Sequence, residues 1–148
     1  MSWLERSTLA QALRAAVIYA VFLSYLRNMA AGGRLAGDAG LGRLGFAILM
    51  LIGATIVAGI VVQILAVILA AATGDEKMAD LIDERDKAIE RRAIEVGFGV
   101  VGTGFVAMAL ALWQGWGAVW AINLLLAGFV ASDILVNLLK FRSYWRGA

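Results

Sequence analysis

Among the polar side chains inside long apolar stretches, four could do chemistry: Arg14, Gln63, Asp133 and Asn137. A charged residue in such a stretch is costly to hold in hydrocarbon and normally faces a partner or a water-filled path. A lone buried carboxylate can serve as a proton or cation site, because burial raises its pKa. Beside a guanidinium it becomes an ion pair that fixes how helices meet. Asp133 lies seven residues before Lys140, roughly 10 Å along a helix at about 1.5 Å per residue. Asn137 follows one turn later on the same face, and Arg14 enters from the same side at a comparable depth. Arg14 and Asp133 are therefore expected to face each other, directly or through water. Gln11, Gln63 and Asn137 are expected to complete the network. Gln63 needs a hydrogen-bond partner in lipid; Asn123, Thr103 and the same residue in a second copy are the candidates.

Composition limits other chemistry. There is no Cys and no His. Disulfides, thiolate or imidazole metal ligation, His-ligated haem and Ser-His or Cys-His catalysis are excluded. Acids gather at Asp75, Glu76, Asp80, Asp83, Glu84, Asp86 and Glu90, but Lys77, Arg85, Lys87, Arg91 and Arg92 are interleaved with them. That mixture reads as a solvated charged helix rather than a carboxylate metal site. Residues 40–45 match G-x-G-x-x-G. The dinucleotide fingerprint needs a preceding strand and a βαβ unit, so these glycines read as a flexible loop with a Gly-rich helix start. No catalytic set, cofactor site or metal site emerges. A net charge of +2 gives no reason to expect direct nucleic-acid binding.

The elements that must position these residues follow from hydropathy. The chain has 148 residues, of which 62% are hydrophobic and 16% charged. Soluble domains average about 45–50% apolar and about 25% charged, and a domain this small buries only a modest fraction of its surface. Lipid is the implied solvent. A spanning helix needs about 20 mostly apolar residues. Four segments qualify, at about 9–26, 46–73, 96–113 and 118–139. The second exceeds the bilayer core and must tilt or protrude. No period-2 alternation supports a barrel. The expected fold is a single all-α domain, an integral membrane four-helix bundle. The first segment has the basic start and apolar middle of a signal peptide but lacks a clear A-x-A site, so it is expected to stay as a span.

Lys and Arg set the orientation. Four spans put ten of the thirteen basic residues on the side of both ends and the middle connection. Arg27, Arg34 and Arg43 fall on the other side. Both termini are therefore expected in the cytoplasm, in a bacterial inner membrane. Trp3 and Trp145 fall at the expected inner boundary, and Trp113, Trp116 and Trp120 around an outer turn at 114–117. These are belt positions.

The connection at about 75–95 reads as a cytoplasmic helix running on into the third span. Met78, Ile82 and Ile89 recur at helical spacing, and Asp83 with Lys87 and Arg91 with Glu95 form i,i+4 pairs. Residues 83–93, Asp-Glu-Arg-Asp-Lys-Ala-Ile-Glu-Arg-Arg-Ala, resemble the D-E-R-x-x-x-I-x-x-x-A signature of an uncharacterised family of small bacterial and archaeal membrane proteins. The resemblance implies a few spans around a charged inner connection, in some members encoded beside a small helix-turn-helix regulator. It implies no activity. A stripe of small residues, Gly99, Thr103, Ala107 and Ala111, suits close helix packing.

These features point to a non-enzymatic membrane component, an accessory subunit or a sensor or anchor. It would form a homo-oligomer or join a larger complex in the bilayer. Met78, Ile82, Asp83, Glu84, Arg85 and Ile89 would dock a soluble cytoplasmic partner. The alternative is a small oligomeric proton- or cation-coupled transporter using Asp133.

Overall fold

The computed structural model describes residues 3–73 and 84–145. Four helices account for nearly all of them: α1 (Trp3–Ala31), α2 (Gly37–Thr73), α3 (Glu84–Trp113) and α4 (Ala118–Trp145). All four are long and apolar enough to cross a membrane. The sequence contains no proline to interrupt them.

Glycine terminates two of the helices. At the end of α1, Arg34 N–H donates to Met29 O over 2.9 Å and Gly33 N–H to Ala30 O over 3.0 Å. Gly33 takes φ +68°. This is a Schellman cap, in which a left-handed glycine satisfies the last carbonyls. The same pattern ends α3, with Trp116 N–H on Ala111 O at 2.9 Å, Gly115 N–H on Leu112 O at 3.0 Å and Gly115 at φ +80°. The tight turn expected at 114–117 is therefore built on Gly115.

All four helices run beyond the apolar segments read from hydropathy. The glycine-rich stretch expected as an outer loop is mostly helix, because α2 begins at Gly37 rather than near Phe46. Tertiary packing outweighs the poor helix propensity of its glycines. Leu44 is almost fully buried, and Gly40 lies so close to the Leu35 backbone that a Cβ would not fit. The charged stretch runs unbroken from Glu84 into α3, as expected. Met78, Ile82 and Asp83 lie outside the described residues.

The helices pack in a row, α2–α1–α4–α3. A closed four-helix bundle would also join α2 to α3, and no comparable contact does so among the described residues. Phe22, Leu26, Leu44 and Ala47 form a small core against Ile122 and Leu126, where α1, α2 and α4 converge near the α1–α2 turn. In lipid, apolar burial gives little reason to close a ring, and close backbone approach decides which helices associate.

That approach lies in an unexpected register on α3. Gly99 and Thr103 of the anticipated stripe face outward, and a Cβ at Gly99 would meet nothing within 4 Å. Ala107 is half-buried and Ala111 is buried. The closest approach to α4 instead lies at Gly97 and Gly104. A Cβ at Gly104 would come within 2.9 Å of Gly128 Cα. At Gly97 it would come within 2.6 Å of Val136 Cγ2, and Ser132 Oγ donates to the Gly97 carbonyl over 2.9 Å. Gly104→Val should therefore separate α3 from α4 and destabilise by about 1–3 kcal/mol, the usual cost of overpacking. Gly99→Val should be nearly neutral. Denaturant titration in mild detergent, followed by circular dichroism, distinguishes the two variants.

Candidate functional site

Arg14 projects from α1 between its two neighbours. Its Nη2 donates to Asp133 Oδ2 of α4 at 3.1 Å, and its Nη1 donates to the Thr55 carbonyl of α2 at 2.7 Å. One guanidinium thus ties three helices. Its fork geometry makes this possible, since the planar group carries donors pointing in different directions. The side chain is largely buried, at 13% exposure, whereas Asp133 is 38% exposed. Arg14 Nε is buried and has no hydrogen-bond partner among the described residues.

The surroundings shape this contact. Gly59 lies one turn beyond Thr55, and a Cβ there would stand 2.5 Å from Arg14 Nη1. A bare backbone at Gly59 therefore gives the guanidinium its room. The Thr55 hydroxyl donates to Leu51 O at 2.8 Å, and the Thr55 carbonyl accepts from Arg14 because a carbonyl oxygen carries two lone pairs. On the α4 side, Asn137 Nδ2 donates to Asp133 Oδ1 at 3.0 Å and to the Asp133 carbonyl at 2.8 Å. Both carboxylate oxygens are occupied by N–H donors.

The geometry brings Arg14, Asp133 and Asn137 together. Gln11 stands at the edge, its Nε2 3.5 Å from the Gly59 carbonyl. Gln63 is outside the cluster, one turn past Gly59 on an exposed face of α2. It has no hydrogen-bond partner among the described residues. Its two intramolecular candidates are engaged elsewhere. Asn123 accepts from the Tyr19 hydroxyl through Oδ1 at 3.2 Å, and Thr103 donates to Gly99 O at 3.0 Å. Sequence reasoning missed Thr55 and Gly59. A backbone carbonyl has no sequence signal, and Gly59 is one of 17 glycines.

Asp133 also borders a groove of about 270 Å³ between α3 and α4, lined by Phe98, Val101, Phe129 and Val136. Beyond the apolar part of α4, Lys140 Nζ donates to Glu90 Oε1 at 2.8 Å and ties the charged start of α3 to α4. Lys87 with Glu84 and Arg91 with Glu95 are exposed pairs along α3. Glu84 is exposed, while Ile89 is half-buried in a groove of about 500 Å³ against Leu139 and Ser143. Of the proposed docking residues, the side chain of Arg85 lies outside the described set. No group of three or more acidic residues close enough to hold a metal ion occurs among the described residues.

Comparison with family models, curated proteins and solved structures finds no match. The geometry therefore stands alone. Its chemistry is that of a structural clamp, with a guanidinium shared between a carboxylate and a carbonyl. Arg14→Met leaves Asp133 with Asn137 alone and should destabilise by roughly 1.5–3 kcal/mol, the range for hydrogen bonds to charged groups. The double variant Arg14→Met/Asp133→Leu should be milder than the sum of the singles, because no unpaired charge remains. SDS titration against mild detergent measures all three variants, and strict additivity would show that the two side chains do not interact.

Proposed function

We propose that this protein is a non-enzymatic, multi-pass component of a bacterial inner membrane. In this reading both termini lie in the cytoplasm, and two or more copies assemble side by side through α2. The charged start of α3 is then the part presented to a soluble cytoplasmic partner, and the protein acts as an accessory subunit or anchor.

One observation carries the reading. Gln63 is an exposed amide in the apolar body of α2, with no side-chain hydrogen-bond partner among the described residues. Ten residues of helix without a charge follow it, ending with Thr73, about 15 Å at the usual helical rise, so it does not lie at the helix end. None of the most apolar 18-residue window of α2 is buried. Exposed Ile and Val are well solvated by lipid and decide nothing, but lipid cannot satisfy an amide. A glutamine amide carries both a donor and an acceptor. Two copies related by a two-fold axis can therefore exchange reciprocal hydrogen bonds, as an isologous contact requires.

Interhelical side-chain hydrogen bonds average about 0.6 kcal/mol, so two of them change the dimer constant about sevenfold. Gln63→Leu should weaken association of the full chain by that factor, with helicity unchanged, when monomer–dimer equilibrium is followed by native mass spectrometry over a range of protein-to-detergent ratios. A wild-type protein that stays monomeric throughout would refute the assembly.

Transport is the second reading, favoured by the exposure of Asp133 to the α3–α4 groove. It requires proton or cation flux in proteoliposomes that Asp133→Asn abolishes. Absence of flux from the parent protein rules it out.

A further inference from the structure

Three arginines stand at the end of the row that carries the α1–α2 turn: Arg27, Arg34 and Arg43. All are exposed, and none has a carboxylate partner among the described residues. The acid nearest to them in sequence is Asp38. Arg43 Nη1 donates to the Arg34 carbonyl over 2.9 Å, so the two residues are held together above the turn. The three lie on the side that the Lys and Arg bias leaves depleted, and Arg34 and Arg43 are the two brought together.

Directly below them, α1 and α2 leave an open apolar groove of about 460 Å³. Val17, Val21 and Tyr25 line it from α1, and Phe46, Met50 and Ala54 from α2. Each set spans nine residues, about 12 Å of helix. Arg43 is three residues before Phe46 and so sits one turn above it on the same face of α2. The groove therefore runs from the interior of the apolar region to within one turn of Arg43.

We propose that this groove binds one anionic phospholipid, with an acyl chain along α1 and α2 and the phosphate held between Arg34 and Arg43. Charge complementarity selects the occupant. A second protein helix would cover the apolar walls but leave both guanidinium groups without anions. A zwitterionic lipid would bring its own cation to them. The guanidinium fork matches phosphate oxygens, and the depth of the groove matches a chain hanging from a headgroup at that level.

The test uses the full chain in nanodiscs of equal parts phosphatidylglycerol and phosphatidylcholine, with retained lipid counted by native mass spectrometry after release. One phosphatidylglycerol per chain should be retained in preference to phosphatidylcholine. A basic residue near an anionic surface contributes on the order of fivefold in affinity. Arg34→Gln/Arg43→Gln should thus reduce phosphatidylglycerol retention roughly 25-fold with unchanged helicity. Ala54→Phe, at an exposed position, should fill the groove and displace the lipid while both arginines remain. Equal retention of the two lipids by the parent protein would overturn the proposal. So would a dimer that carries no lipid. Retention that survives Ala54→Phe would reduce the site to headgroup attraction alone and overturn the groove assignment.

Discussion

A guanidinium at the depth of a spanning helix has to spend its hydrogen bonds on protein, and Arg14 spends them on both sides of α1. Its contact with Thr55 holds α2 on one flank, and its contact with Asp133 holds α4 on the other. The position of α1 inside the row follows from that. The bare backbone at Gly59 belongs to the same contact, since a Cβ there would force the guanidinium to shift. Once Asp133 is turned towards α1, the remaining geometry of α4 is constrained. Ser132 is about 100° round the helix from Asp133, and with Gly128 and Val136 it forms the face that receives α3.

The two contacts of α4 work by different physics. Towards α1, a charge pair and a tyrosine–asparagine hydrogen bond specify register. Towards α3, the bare backbones of Gly104 and Gly128 approach until a methyl group would not fit. Dispersion and close approach drive that contact, since lipid tails compete with any ordinary apolar surface. The Lys140–Glu90 pair adds a polar tie where the two helices reach their charged end. With one face of α4 used by α1 and another by α3, the row has no force to close it. α2 is left with one neighbour and a long open surface.

That open surface carries Gln63. A self-sufficient bundle would turn Gln63 inward, where Asn123 or Thr103 would receive it. Here Asn123 belongs to Tyr19, Thr103 returns to its own helix, and Gln63 faces out. The second open surface is the apolar groove between α1 and α2, with exposed Arg43 one turn before Phe46. Both surfaces sit on α2, the helix that packs least.

Hydropathy and charge by themselves determined that the chain is all-α with four long apolar helices, that a glycine turn lies near 114–117, and that charged sequence runs directly into α3. These are local properties, set by side-chain transfer energy and backbone propensity within a few turns. The identities of Arg14, Asp133 and Asn137 were legible for the same reason, as polar groups conspicuous in apolar sequence. Their matching distances from the same membrane face made a meeting foreseeable. Only the tertiary structure decided which neighbours they use. The Thr55 carbonyl is invisible in sequence, and Gly59 is indistinguishable there from other glycines. The packing register of α3 was equally hidden, because two small-residue stripes lie on adjacent faces and the choice depends on where α4 presents Gly128. The early start of α2 depended on burial of Leu44 against α1 and α4, a contact between distant residues that no local pattern encodes.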